Sequence, residues 1–169
     1  MLFLLDANVL IDANRDYYPL KRVPEFWEWL VYVATRGQVK VPIEIFEEVA
    51  EGLVRKDKLA KWAKQKKVRD AILLDEEVDG ALVARVTDAG YARDLTDDEV
   101  ENVGRDPFLI AHALISPRDR YVVTTEVSKP SRKRANRHIP DVCSQFGITS
   151  INTFELVRQL DFRTRWTPT

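Results

Sequence analysis

Met1-Leu2-Phe3-Leu4-Leu5-Asp6-Ala7-Asn8-Val9-Leu10-Ile11-Asp12 decides how the rest of the chain is read. Apolar residues run unbroken from Met1 to Leu5 and stop at Asp6. Asn8 follows, and apolar residues resume at Val9. A strand with one wet face would alternate, so a continuous run of this kind fits a strand buried on both faces, in the middle of a parallel sheet. Asp6 then falls at the strand's carboxyl end, the edge at which ligands bind in open α/β sheets. Asp6 or Asn8 also has a plain alternative, as the cap of a following helix. Further carboxylates at the same edge decide between the two readings.

The chain has 169 residues, 45% of them hydrophobic and 31% charged, with a formal net charge of -1. That composition fits one globular domain with ample core. It excludes a uniformly basic nucleic-acid binder but not local basic patches. Cys143 is the single cysteine and His112 and His138 are the two histidines, so neither a disulfide nor a cysteine-based zinc cluster can form within the chain. Any metal here needs oxygen ligands. No basic leader precedes the first strand and no apolar run is long enough to span a bilayer, which makes a cytoplasmic location the expectation.

Strand and helix signals alternate along the chain. Pro24 opens a helix that Gly37 ends, with Trp27 and Trp29 on different faces, one expected in the core and the other at a rim or against another chain. Gln38 to Val41 reads as a second strand, and Pro42 to about Glu51 as a helix with Ile45, Phe46, Val49 and Leu53 on its apolar stripe. Glu44 and Glu48 share one face of it. Lys56 to Arg69 is basic with Trp62 interleaved, either a solvated helix or a surface that tracks phosphates. Asp70 to Gly90 reads as one helix, and Thr96 with Glu99 as a capping box. Residues 56–100 are expected to form a helical insertion within a single domain spanning 1–160, followed by a loosely held tail, 161–169.

Pro107 fits the first turn of a helix, with Asp106 as its cap and His112 on a core face. Arg120 to Thr124 is a further central strand that runs into Thr124-Thr125-Glu126. Ser128 to His138 is basic and reads as a mobile loop. Ile139 to about Gly147 is a short helix, Ile148 to Ile151 the last strand, and Thr153 the cap of the final helix. Such alternation predicts an α/β fold with a central parallel sheet and right-handed crossovers.

In that fold Asp6, Asp106 and Glu126, with Glu48 from the helix after the second strand, gather at one edge. Two carboxylates about 4 Å apart repel by about 4 kcal/mol at an effective dielectric near 20. A divalent cation or bound protons would relieve this, and with oxygen ligands alone the natural ion is Mg²⁺ or Mn²⁺. Such a site suits phosphodiester hydrolysis.

Four segments resemble the motifs of PIN-domain ribonucleases. Leu4-Leu5-Asp6-Ala7-Asn8-Val9-Leu10 is similar to the opening motif. Val41-Pro42 with Ile45, Glu48 and Val49 resembles the second, Asp106 to Leu114 the third, and Val122-Val123-Thr124-Thr125-Glu126 the fourth. The chain departs from the general pattern at the fourth site, where Glu126 replaces an aspartate, and in the basic 128–138 loop and Ile139-Pro140-Asp141-Val142-Cys143. These departures resemble a PIN-like subfamily.

The resemblance implies a three-layer α/β/α fold and a Mg²⁺- or Mn²⁺-dependent endoribonuclease. It also implies the toxin of a toxin–antitoxin pair, an RNA substrate, an antitoxin protein and a homodimer, with no membrane contact. By this reading Asp6, Asp106 and Glu126 hold the metal, Glu48 completes the site or orients water, and Asn8 and Thr124 fix carboxylate rotamers. Arg105, Lys129, Arg132, Lys133 and Arg134 contact substrate phosphates. Asp141 and Glu44 are further acids whose membership is open. The alternatives are a non-catalytic PIN-like module that binds RNA or protein, and a DNA or structure-specific nuclease.

Overall fold

Leu2–Leu5 forms strand β1, and its residues Phe3, Leu4 and Leu5 are buried as a doubly covered strand requires. The computed structural model describes residues 1–51 and 58–167; Leu53 and Lys56 lie outside the described residues. Strands β2 (Val39–Lys40), β3 (Arg120–Val123) and β4 (Ser150–Ile151) join β1 in one sheet of order β2-β1-β3-β4, with every pair parallel. Helices on either side make a three-layer α/β/α arrangement. They are α1 (Ala7–Asp12), α2 (Pro24–Thr35), α3 (Ile43–Glu51), α4 (Lys58–Ala63), α5 (Lys66–Ile72), α6 (Gly80–Val86), α7 (Asp97–Val103), α8 (Asp106–Leu114), α9 (Ile139–Gln145) and α10 (Thr153–Gln159). Among the described residues no helix is long and apolar enough to cross a membrane.

The outer strands are shorter than their sequence signals. Beyond Lys40 the chain leaves the β1 ladder, and Val41 forms a parallel bridge to Leu73 instead, donating to the Ile72 carbonyl at 2.7 Å and accepting from the Leu74 amide at 2.9 Å. This breaks the helix expected over Asp70 to Gly90. α5 ends at Ile72, Leu73 is extended, and helix resumes only at α6, capped by Asp79. Leu74 is buried by the detour, and backbone groups at the β2 edge are paired, a combination that outweighs local helix propensity.

Trp27 and Trp29 are both core residues, which corrects the expectation of one at a rim. Trp27 meets Trp62 of α4 edge-on at 4.6 Å and donates its indole N–H to the Tyr18 carbonyl at 2.7 Å. Trp29 packs on Phe162 at 5.1 Å. One helix is thus covered by the insertion through one tryptophan and by the C-terminal segment through the other. The described part of that segment is therefore anchored rather than loose: Phe162 also meets Tyr18 and Phe26, and Trp166 meets Tyr32.

The loop from Ser128 to His138 is tied down as well. Arg134 donates to Glu99 at 2.7 Å and to Asp94 at 2.8 Å, and Asn102 donates to the Ala135 carbonyl at 2.8 Å. Asp141 accepts from the Ser128 hydroxyl and the Lys129 amide, and His138 Nδ1 donates to the Val127 carbonyl at 2.8 Å. Composition marked this loop as mobile; ion pairs to residues 35 and 40 positions away hold it.

Candidate functional site

The register of the two central strands builds the first part of the site. Leu5 pairs with Val123, so Asp6 and Thr124, one residue further on, lie side by side at the carboxyl edge. The ladder continues into them: the Asp6 amide donates to Val123 at 2.9 Å and the Thr124 amide to Ile151 at 3.1 Å. Thr124 Oγ1 donates to Asp6 Oδ2 at 3.0 Å and itself accepts from the Glu126 amide at 3.2 Å. Asp6 occupies the cap position of α1 but makes no side-chain capping hydrogen bond. Its carboxylate is committed to Thr124.

Asp106 arrives from the other direction. It is the first residue of α8, with Arg105 rather than Asp106 at the cap position and no side-chain cap bond, which corrects the capping role. Tyr91 donates its hydroxyl to Asp106 Oδ2 at a long 3.4 Å. The one-turn π-helix Thr87–Tyr91 that carries Tyr91 packs against α9 through Gly90, where an added Cβ would stand 2.7 Å from Val142 Cγ1. Gly90→Ala is expected to cost about 1–3 kcal/mol by overpacking. In a domain of this size that lowers Tm by several degrees. A melting temperature unchanged within 1 °C would show that the contact relaxes freely.

The electrostatics couple the four acids. Burial pushes the Asp6 carboxyl up to about 6, the Thr124 hydrogen bond opposes this, and the charges of Glu126 and Glu48 add to it. Asp106 is held well above the usual carboxylate range, first by desolvation and then by the charges of Asp6, Glu126 and Glu48. The charge of Asp6 is among the causes that hold Asp106 up, so the two acids titrate as a coupled pair. Tyr91 and the buried Cys143 thiol lie in the same field, and burial raises both, so they stay protonated. Among the described residues none of Asp6, Glu48, Asp106 and Glu126 forms an ion pair.

Glu126 and Glu48 complete the cluster unequally. Glu126 Oε2 accepts from the Ile139 amide at 2.7 Å, at the first turn of α9. The extra methylene of glutamate fits this reach across the loop. Glu48 is exposed on α3 and lines, with Glu51, Glu101, Arg105 and Asp106, an acidic pocket of about 370 Å³. No group of three His, Cys, Asp or Glu side chains among the described residues stands ready to hold a metal ion. The donor chemistry nevertheless fits a hard divalent cation: four carboxylates, two with raised pKa, none of them in an ion pair among the described residues. Asp6 and Asp106 are the constrained members, while Glu48 and Glu126 have the rotatable length to close on an ion.

The remaining sequence candidates divide. Asn8 is exposed on α1 and, among the described residues, makes no hydrogen bond to the cluster, whereas Thr124 holds Asp6. Arg105 donates to the Glu44 carbonyl and to Glu47, and Arg134 is occupied by Glu99 and Asp94, while Lys129, Arg132 and Lys133 are exposed and form no ion pair among the described residues. Asp141 is committed to the loop, and Glu44 lies 3.5 Å from the buried His112. Sequence reading missed Tyr91. Its one local signal is a lone aromatic after Gly90 in a polar stretch.

Comparison with known proteins gives one match. A family model described as "Domain of unknown function (DUF4411)" matches residues 3–164. Neither a curated protein nor a solved structure matches the chain.

Proposed function

We propose that this chain, which belongs to the DUF4411 family of domains of unknown function, is a Mg²⁺- or Mn²⁺-dependent endoribonuclease, acting as the toxin of a toxin–antitoxin pair. The observation that carries the nuclease reading is the cluster at the sheet's carboxyl edge: Asp6 raised to about 6, Asp106 held well above the usual carboxylate range, the charges of Glu48 and Glu126 adding to both, and, among the described residues, no cation in an ion pair with any of them. A fold that accepts this repulsion gains from a divalent ion in the gap. The four-motif resemblance to PIN-domain ribonucleases supplies the substrate class and the toxin role.

When bound, a divalent ion held by Asp6, Asp106 and Glu126 supplies Lewis-acid stabilisation of the phosphodiester oxygens and lowers the pKa of water. The chain's own groups do the rest. Thr124 fixes the rotamer of Asp6, and Tyr91 holds Asp106. Such outer hydrogen bonds orient ligand oxygens and tune their basicity. Glu48, exposed at the mouth of the acidic pocket, accepts the proton of the attacking water. Lys129, Arg132 and Lys133 attract the negative strand and offset the repulsion that the acids exert on it.

Incubating the purified chain with single-stranded RNA and with DNA of the same sequence, with Mg²⁺, Mn²⁺ or chelator, tests this reading. RNA cleavage that needs the ion is the expected result. No cleavage of RNA under any condition sinks it, and cleavage of DNA alone replaces it with the deoxyribonuclease alternative.

A further inference from the structure

A cavity of about 540 Å³ opens beside the acidic cluster, at the carboxyl ends of β3 and β4. Thr124, Thr125 and Glu126, which follow β3, and Asn152, Thr153 and Phe154, which follow β4, line it. We infer that this cavity receives a base of a single-stranded RNA whose neighbouring phosphodiester lies at the acidic cluster. The assignment rests on the nuclease reading for its substrate, and on three independent features for its shape.

The first is where the exposed apolar surface lies. Of the six large hydrophobic side chains exposed among the described residues, Tyr17, Val127 and Phe154 line this one cavity. Tyr17 and Phe154 are each 48% exposed and meet edge to face, with centroids 5.0 Å apart. Water-exposed aromatic rings at a cavity mouth offer stacking surface to a flat ligand, and every base has such a face.

The second is a buried polar group with no use in the fold. Thr153 was expected to cap α10, but Asn152 does so, accepting from the Glu155 amide at 2.9 Å. Thr153 Oγ1 is left buried, at 3% residue exposure, with no hydrogen-bond partner among the described residues. A hydroxyl in that state costs free energy unless something completes it. Thr153 lines the cavity, and a base edge carries both donors and acceptors.

The third is charge. The cavity's described lining includes Glu126 and Glu155 and no lysine or arginine. It therefore disfavours phosphate and favours an uncharged planar group. The exposed cations Lys129, Arg132 and Lys133 follow directly on Ser128, which lines the cavity. Backbone and base are thus offered separate surfaces, and the volume falls in the usual range for small-ligand sites.

The test uses the full chain carrying Asp6→Asn, so that cleavage does not consume the probe, and a fluorescein-labelled single-stranded 12-nucleotide RNA read by fluorescence anisotropy. Adding Phe154→Ala is expected to weaken binding about 10-fold, the usual effect of removing one stacking aromatic. Adding Thr153→Val, which keeps the shape and removes the hydroxyl, is expected to leave the melting temperature level or higher and to change affinity among homopolymers of the four bases unequally. Two additions that leave affinity within two-fold for every base overturn the inference. So does a Phe154→Ala effect confined to self-association, measured by sedimentation, because the cavity is then a contact between copies. Cleavage by the native chain is scored separately. Its absence overturns the nuclease reading, while the anisotropy result still decides the cavity.

Discussion

Asp6→Asn is expected to melt about 5 °C above the native chain at pH 7.5 in chelator, and to cleave no RNA in Mn²⁺. The first half follows from linkage. The Asp6 carboxyl titrates near 3.8 in the unfolded chain and at about 6 in the folded one. Between those values the folded state holds more protons, so stability falls as pH rises through the window and stays low above it. A shift of about two units corresponds to about 3 kcal/mol. At roughly 2–4 °C per kcal/mol for a domain of this size, the upper limit is near 12 °C. Burial of the new amide takes part of that back. Asparagine keeps an oxygen to accept from Thr124, so the hydrogen bond survives while the charge goes.

The expected stabilisation disappears at pH 4, where the native carboxyl is also protonated in the fold. Equal melting temperatures at pH 7.5 would show that Asp6 is not under charge stress. The loss of activity tests a different statement, that the same charge is needed for catalysis. A variant that gains stability and loses cleavage marks a site held at a cost to the fold. A variant that retains cleavage removes Asp6 from the proposed chemistry.

Divalent ions are expected to reverse the stress. In about 5 mM Mn²⁺, roughly 100 times an assumed Kd of about 50 μM, the native chain gains about 2.7 kcal/mol, or 5–10 °C in Tm. The gain should be larger at pH 7.5 than at pH 5, because at the lower pH an ion has to displace protons from Asp6 and Asp106. Asp106→Asn and Asp6→Asn should each lose most of it. A shift of the same size in native chain and variants would assign the effect to weak surface binding. No shift in the native chain at pH 7.5 would favour the non-catalytic alternative. Thermal melts in matched ionic strength settle which holds, since surface charges respond to salt alone.

These two results bear on how the cluster is built. Asp6, Asp106 and Glu126 were legible in the sequence because each stands near an element boundary that apolar periodicity reveals, and Glu48 because it sits on the polar side of an amphipathic helix. Which of them would be constrained was not. Asp6 and Asp106 both had complete explanations as helix caps, and neither makes a capping bond. Glu126 had no assigned structural use, yet it bridges to the first turn of α9. The assignments depend on Thr124, Tyr91 and Ile139, at separations of 118, 15 and 13 residues, and no local pattern encodes such pairings.

The same division holds for the rest of the chain. Met1 to Asp12 alone determined a doubly buried strand with a carboxylate at its end, since an unbroken apolar run excludes a wet face. Alternating periods determined an α/β fold, and Thr96 with Glu99 determined where α7 begins, since a capping box is a contact within one turn. Only the tertiary structure decided that Leu73 and Leu74 leave the helix to cover β2, and that both tryptophans of α2 are core. It also decided that Arg134 pairs with Glu99 and Asp94, and that the Thr153 hydroxyl is buried without a partner among the described residues. The physical reason is range. Propensity, periodicity and capping act over a few residues, whereas burial, ion pairing and the repulsion among carboxylates depend on which distant segments the sheet brings together.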